Sequence, residues 1–237
     1  MKTAITLTAR MKSSRLQLKA MREIKGEPMI KHIIDRLKLA KNADKIILCT
    51  STNKQDDILV DVAMGEGISY FRGSEEDVLE RLLEAAKKFK IDFMVNVTAD
   101  NPLVDFIYID KMIDIFKNKN ADYITCKKLP WGTFSYGLKV KALEKVVNEK
   151  KSKDTEIWGK IFESYDDLKK IDLEVEADLN HPEIRLTVDE EADLNLIKKI
   201  FDRFYNGKND LDNKKIVKFL LENPHIKDIN KGIIPRR

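Results

Sequence analysis

The sequence has few of the residues that build metal-stapled or disulfide-stapled folds. It holds two cysteines, Cys49 and Cys126, and three histidines, His32, His181 and His225. That ligand count excludes a zinc ribbon, a zinc finger and a disulfide scaffold. Both cysteines lie in apolar segments and read as buried thiols. Glycine comes late: the first is Gly26. Neither G-x-x-x-x-G-K-[ST] nor G-x-G-x-x-G occurs, so the chain has no P-loop and no dinucleotide fingerprint. No stretch approaches the roughly 18–20 uninterrupted apolar residues of a membrane span. The apolar N-terminal run is too short for a signal-peptide core, which makes the cytoplasm the expected location. A large charge excess is missing too. The 44 Lys+Arg against 40 Asp+Glu leave a net +4, which argues against a histone-like or tail-like nucleic-acid binder.

What is present fits a soluble chain that buries a real core: 43% of the 237 residues are apolar and 35% charged. The near-balance of charge hides a gradient. Residues 1–41 carry 11 Lys+Arg against 3 Asp+Glu, a local +8. Residues 151–200 carry 8 against 14, a local −6. Scatter over solvated faces would produce this. So would an anion site early in the chain and a cation site later.

Short apolar runs at Thr3–Thr8, Lys45–Thr50, Ile68–Phe71, Asp92–Thr98 and Asp122–Cys126 read as strands. Helical spacing is expected over Met29–Lys41, with Pro28 suited to its first turn, over Asp56–Met64 and over Asp105–Asn118. Ser74 is a candidate N-cap, with Asp77 three residues on, for a helix whose apolar face runs from Val78 to Phe89. Strands alternating with amphipathic helices indicate an α/β fold with a mostly parallel sheet. Such sheets bind ligands beyond the carboxyl ends of their strands, which directs attention to the segments after Thr8, Thr50, Phe71 and Thr98. Further on, strands are expected at Thr133–Val140, Leu173–Ala177 and Ile184–Val188. Helices are expected at Lys141–Lys150, Asp154–Ser164, Glu190–Tyr205 and Lys214–Glu222. No repeat, low-complexity tract or linker divides the chain, so residues 1–237 read as one domain with a helical extension from about residue 206.

Three segments carry chemistry. The first follows the first strand: Ala9-Arg10-Met11-Lys12-Ser13-Ser14-Arg15-Leu16-Gln17-Leu18-Lys19. Four cations and two hydroxyls in one loop suit phosphate oxygens, since guanidinium pairs with them in forked geometry and lysine adds a point charge. A solvated basic loop fits the same pattern. The second is Thr98-Ala99-Asp100-Asn101-Pro102-Leu103-Val104-Asp105. A carboxylate at a strand exit suits Mg²⁺ beside a nucleotide, but Asn101 or Asp100 with Pro102 also fits a helix cap, the better reading for Asn101. The third is Arg185-Leu186-Thr187-Val188-Asp189-Glu190-Glu191-Ala192-Asp193-Leu194. Asp189 stands at a strand–helix junction, and by itself reads as a cap before it reads as a metal ligand.

Taken in order, these segments and Phe71-Arg72-Gly73-Ser74-Glu75-Glu76-Asp77-Val78-Leu79 resemble the cytidylyltransferases of surface-sugar biosynthesis. The nearest branch is the spore-coat polysaccharide cytidylyltransferase-like proteins, related to the 3-deoxy-manno-octulosonate and acylneuraminate cytidylyltransferases. The resemblance spans residue 3 to about residue 205. It implies a nucleotide-diphospho-sugar transferase fold, a Rossmann-like three-layer α/β/α sandwich. It matches Arg10, Ser14, Arg15 and Lys19 to positions that bind the CTP phosphates, with Ala9, Lys12 and Ser13 in the same loop. Asp100 and Asp189 match the Mg²⁺ ligands, and Arg72 and Ser74 are further nucleotide contacts. Ser135, Tyr136, Gly137 and Glu156 fall on the acceptor side. A homodimer is expected, with Trp131–Val140 as an interface segment. The chain departs from the family's usual pattern at Lys12, where Gly is usual, at Gln17-Leu18, where Pro-Gly is usual, and at Ala99, where Gly is usual.

The implied reaction has a sugar or sugar-acid oxygen attack the α-phosphorus of CTP, with pyrophosphate leaving in line. Arg15, Lys19 and Asp100 would carry it. No histidine lies in these segments, so a metal-lowered acceptor pKa is expected in place of a histidine base. Two other readings share the sequence features. One is a glycosyltransferase of the same fold, whose Asp-x-Asp motif could only be Asp210-Leu211-Asp212. The other is a non-catalytic nucleotide-binding descendant.

Overall fold

The computed structural model describes residues 1–13 and 15–233; Ser14, expected at the phosphates, lies outside the described residues. Along the chain come β1 (Thr3–Thr8), a small hairpin of β2 (Glu23–Ile24) and β3 (Glu27–Pro28), α1 (Met29–Leu37), β4 (Lys45–Ser51), α2 (Asp57–Gly65) and β5 (Ser69–Gly73). Next are α3 (Val78–Phe89), β6 (Phe93–Thr98), α4 (Phe106–Lys119), β7 (Tyr123–Thr125), β8 (Tyr136–Lys139) and α5 (Val140–Glu149). Last come α6 (Gly159–Glu163), β9 (Lys170–Asp172), α7 (Glu191–Phe204), α8 (Asn213–Glu222) and α9 (Pro224–Lys227).

Seven strands form one sheet in the order β5-β4-β1-β6-β8-β7-β9. All pairs are parallel except those of β8, which runs antiparallel to both β6 and β7. The chain steps outward from β1 through β4 to β5, then returns to place β6 on the other side of β1. The strand order therefore reverses at β1, and the loops leaving β1 and β6 diverge there to open a crevice.

Alternation of side chains splits the strands between two cores. Ile5 and Leu7 of β1, Leu48 of β4, and Phe93, Val95 and Val97 of β6 pack with α1, α4 and α7. Ala4, Ile47, Cys49 and Met94 face the other way, under α3 and α5. A sheet covered on both faces is the three-layer α/β/α arrangement implied by the resemblance, and both cysteines are buried thiols within it.

Several local expectations are corrected. Asp77, not Ser74, caps α3, its carboxylate accepting from the Glu80 amide at 3.1 Å; Ser74 instead accepts from the Asp77 amide at 3.0 Å. Asp105 caps α4, so neither Asp100, Asn101 nor Pro102 serves that helix. Glu190 takes the cap position of α7 and leaves Asp189 free of that duty. Pro28 pairs with Glu23 just before α1. Of Asp154–Ser164 only Gly159–Glu163 is helical. The strands expected at Leu173–Ala177 and Ile184–Val188 do not form; β9 lies three residues earlier, and the second stretch makes one isolated bridge, Trp131 with Arg185. Their apolar residues face the core from loops, which mimics strand alternation.

After residue 206 the chain adds α8 and α9. Ile216, Val217 and Leu220 of α8 join the α1/α4 core. Arg36 of α1, 1% exposed, locks them there. Its Nε donates to the Val104 carbonyl at 2.5 Å, Nη1 to that of Leu211 at 2.8 Å, and Nη2 to Asn213 Oδ1 at 3.1 Å. Asn213 in turn donates to Asp105 at 3.0 Å, so the cap of α4 and the start of α8 share one buried network. Asp212 caps α8, and the Asp210–Asp212 triplet lines a separate cavity beside Arg36, away from the strand-end crevice. Replacing Arg36 with Ala orphans these acceptors inside the protein. It is expected to lower stability by about 3–5 kcal/mol, measured by urea denaturation.

Candidate active site

The crevice at the ends of β1 and β6 holds two adjoining cavities. The larger, about 490 Å³, is lined by Ala9, Arg10, Lys12, Ser13, Arg15 and Lys19 on one wall. The smaller, about 210 Å³, is walled by aromatic side chains. Arg15, Asp100, Glu156, Trp158 and Asp189 line both. The basic loop, Asp100 and Asp189 thus meet in space, although Asp189 follows Lys19 by 170 residues.

Backbone geometry explains the convergence. The Ala99 amide donates to the Thr8 carbonyl at 2.9 Å, extending the β1–β6 register past the strand ends. The Val188 amide donates to the Asp100 carbonyl at 2.8 Å, which docks the Asp189 segment onto the Asp100 loop. Gly132 makes that docking close: its φ is +97°, and a Cβ there would lie 2.2 Å from the Thr187 nitrogen. The start of the basic loop is pinned by Asp56. This carboxylate is fully buried, accepts from the Met11 amide at 2.7 Å, and takes the Ser51 hydroxyl at 2.5 Å.

Every described cation of the loop already faces a carboxylate. Lys19 Nζ lies 3.1 Å from Asp100 Oδ2 and 3.0 Å from Asp189 Oδ1. Arg15 reaches Asp189 at 3.0 Å and Glu190 at 3.7 Å. Arg10 pairs with Glu156 at 2.6 Å, and Lys12 with Glu75 at 3.4 Å. Arg185 holds the far side of Asp189 at 2.8 Å while its Nε and Nη2 fork onto Asp193, which is fully buried. Asp193 also accepts from the Asp189 and Glu190 amides, at 2.9 and 3.1 Å, and from Asn230 at 2.8 Å. Asp189 is therefore aimed by a supporting layer of buried partners. Thr98 Oγ1 donates to Asp100 Oδ1 at 2.5 Å and fixes the other carboxylate.

Burial works against charge on Lys19, but Asp100 and Asp189 outweigh it and hold the ammonium's pKa above its ordinary value. Burial pushes Asp189 up; Lys19, Arg185 and Arg15 outweigh it and leave that carboxyl below the usual aspartate value. Burial is also the main cause that pushes the Tyr136 hydroxyl up to about 12, so it stays a neutral O–H donor in the smaller cavity.

Not every residue singled out in the sequence reaches the crevice. Arg72 is spent on backbone, donating to the Ser51 and Asn53 carbonyls at 2.9 and 2.8 Å, and on Asp57. Ser74 serves the turn before α3. Ser135 is 1% exposed, its hydroxyl against the Met112 sulfur at 3.5 Å, and a Cβ on Gly137 would meet the Phe93 ring at 2.7 Å. These two pack the sheet; Tyr136 and Glu156 line the smaller cavity. The strand part of Trp131–Val140 is paired on both edges, so it offers no strand edge to a partner. Residues missed in the sequence include Asp56, Arg81, Asn96 and Trp158. Two had signals: Arg81 is a cation on the apolar face of α3, and Asn96 is a polar residue inside an apolar strand.

A family model described as cytidylyltransferase matches residues 4–220. The chain is 33% identical over 238 residues to an uncharacterised protein of Methanocaldococcus jannaschii, covering 98% of this chain and 96% of that protein. It is 26% identical over 225 residues to the spore coat polysaccharide biosynthesis protein SpsF of Bacillus subtilis, covering 92% and 93%. Among solved structures, a cytidylyltransferase from Leptospira borgpetersenii superposes with a TM-score of 0.89 at 26% identity, covering all of both chains.

Two predictions follow from this geometry. Leu18 adopts the left-handed conformation at φ +52° and is exposed. Leu18→Gly relieves that strain and is expected to raise stability by about 1 kcal/mol in urea denaturation. The lowered pKa of Asp189 contributes stability that is present above 3.8 and lost as pH falls through its folded value. The raised pKa of Lys19 contributes stability that is present below 10.5 and lost as pH rises through its folded value. Urea midpoints are expected to fall at both extremes, and Asp189→Asn to flatten the acid limb; an unchanged acid limb in that variant contradicts the assignment.

Proposed function

The chain belongs to the cytidylyltransferase family, and from that premise we propose that it transfers CMP from CTP to a sugar or sugar-acid acceptor, releasing pyrophosphate, in surface-glycan biosynthesis. The observation that carries this reading is the meeting of the basic loop with Asp100 and Asp189 where the two cavities join. The name of the Bacillus relative supports the glycan setting.

The donor set suits Mg²⁺. Asp100 and Asp189 both converge on the point that Lys19 Nζ holds, and hard carboxylate oxygens are the ligands this cation prefers. Among the described residues no group of three or more metal-ligating side chains occurs. Two carboxylates with phosphate and water oxygens completing the shell are a common arrangement for Mg²⁺ on a nucleotide. When bound, Mg²⁺ supplies charge neutralisation at the phosphates and lowers the pKa of an acceptor oxygen.

The chain's own residues then have separable tasks. Arg10, Lys12, Ser13 and Arg15 present cations and a hydroxyl to the triphosphate in the larger cavity. The incoming anion replaces Glu156 on Arg10 and Glu75 on Lys12, so the cations exchange one anionic partner for another while the displaced carboxylates, neither of them buried, turn to solvent. Lys19 turns from the aspartates to the phosphates and, with Arg15, offsets charge that builds on the leaving pyrophosphate. One such donor contributes roughly 2.7–4 kcal/mol to a transition state. The acceptor occupies the smaller cavity beside Tyr136 and Glu156, which places its attacking oxygen at the junction. Positioning and electrostatics carry the reaction, as expected where phosphoryl groups move in line.

Asp100→Asn is expected to cut pyrophosphate release from CTP and Mg²⁺ by at least about 10²–10³-fold while the far-UV circular dichroism stays unchanged. Unaltered turnover in that variant removes Asp100 from the site.

A further inference from the structure

The larger cavity has a wall besides the basic loop, to which the start of α3 contributes Glu76, Val78 and Arg81. Arg72 and Ser74, the nucleotide contacts expected just before this helix, are spent on backbone bonds. Arg81 is the cation that α3 itself brings to the cavity, and it differs from the described cations of the loop. It is 2% exposed and forms no ion pair with a described residue. Nη1 donates to the Ser74 carbonyl at 2.5 Å and to the Glu75 carbonyl at 3.4 Å, which fixes the guanidinium plane. Nε is buried without a partner, and Nη2 has none among the described residues.

The acidic groups whose charge reaches Arg81 are committed elsewhere. Asp56 holds the Met11 amide and the Ser51 hydroxyl, while Asp77 caps α3 and takes Thr155 and Lys150. Cys49 is no substitute, since burial pushes its thiol up to about 12 and keeps it neutral. A buried guanidinium edge with nothing to donate to is costly, and on a cavity wall it is open to a ligand. The loop cations exchange a carboxylate for a phosphate, but Arg81 has no carboxylate to give up. It shares the cavity with small apolar side chains, Ala9, Val78 and Ala99, which suit a flat ring better than a triphosphate. Nε and Nη2 present two parallel N–H donors. Cytosine carries two acceptors side by side, O2 and N3, and matches that edge. Uracil carries a proton on N3, so a donor would meet a donor there.

We propose that Arg81 reads the base of the nucleotide: its Nε–Nη2 edge donates to O2 and N3 of cytosine and rejects uracil. This rests on the nucleotidyl-transfer reading above and adds the residue that selects its nucleotide. The phosphates remain with the loop after β1.

The test is calorimetry of the full chain with CTP, UTP, ATP, GTP, pyrophosphate and the triphosphate of pyrimidin-2-one ribonucleoside, all with Mg²⁺. The pyrimidinone keeps O2 and N3 and lacks the 4-amino group. It is expected to bind within about tenfold of CTP, and UTP to bind at least about tenfold more weakly than either, because a site built for an acceptor rejects the analogue that lacks it. Arg81→Lys keeps a cation and a donor for the Ser74 carbonyl but loses the fork. It is expected to bring CTP to within about threefold of UTP and to leave pyrophosphate affinity unmoved. A guanidinium that held phosphate would instead weaken CTP, UTP and pyrophosphate alike. Should that variant not fold, the wild type still decides: the Nε–H resonance of Arg81, assigned through bonds from its own backbone, is expected to shift with CTP and the pyrimidinone and not with pyrophosphate. An unchanged ratio of CTP to UTP affinity in Arg81→Lys, loss of the pyrimidinone along with UTP, preference for a purine triphosphate, or an Nε–H resonance that does not respond to CTP overturns the proposal. Absence of binding by every nucleoside triphosphate, by contrast, overturns the nucleotidyl-transfer reading itself.

Discussion

One ammonium group organises the crevice. Lys19 stands between Asp100 and Asp189 and balances charge on both carboxylates. Neighbouring like charges repel; Arg185 offsets part of the charge on Asp189, and Asp193 holds the Asp189 amide in place. With Lys19 in place the segments from residues 19, 100 and 189 are joined at the ends of β1 and β6. The same arrangement leaves a place where a cation is required, which is also the place where chemistry on a nucleotide needs one. Charge neutralisation within the chain and charge neutralisation of a substrate are thus alternatives at a single point.

The two faces of the crevice divide the work by polarity. The loop after β1 presents cations along the larger cavity, and each described one rests on a carboxylate from another segment. The smaller cavity is aromatic and amide-lined. The sheet topology makes this division unavoidable: β1 and β6 leave their loops in different directions, while β8 runs antiparallel beside β6 and brings Tyr136 and the preceding aromatics to the same rim. Residues 151–158 close the picture from above. Thr155, fully buried, donates to Asp77 at 2.9 Å and accepts from the Leu79 amide at 3.0 Å. That anchors the segment to the start of α3 and holds Glu156 and Trp158 over both cavities.

Much of this was legible before any coordinates. The strands from Thr3 to Thr98 and the helices between them follow from apolar periodicity, because all but the edge strand β5 bury the residues the pattern marks. The cation loop was legible at a strand exit, and the two aspartates joined it as a set through the family resemblance, since each by itself also read as a helix cap. Their separate readings as helix caps were not settled by local sequence: Asp105 and Glu190 turned out to hold the cap positions, and a cap is decided by where a helix starts, which shifts by a few residues under tertiary packing. Ser135, just before β8, and Gly137 within it face the core, because neither the strand's position in the sheet nor its faces can be read from a half-buried run. Leu173–Ala177 and Ile184–Val188 alternate like strands yet lie in loops, since apolar residues spaced by two will also line a core from an irregular segment.

By itself the sequence determined the α/β architecture with its mostly parallel sheet and the position of the basic loop, because these depend on local periodicity and on residue chemistry; it left Asp100 and Asp189 open between helix caps and metal ligands, the second reading being what the family resemblance implied. Only the tertiary structure decided what those groups touch. The pinning of the loop by Asp56, the bridge through Lys19, and the bracing of Asp189 by Arg185 and Asp193 all join residues far apart in the chain. Such contacts arise when a parallel sheet brings strand ends together, and no spacing along the chain encodes them.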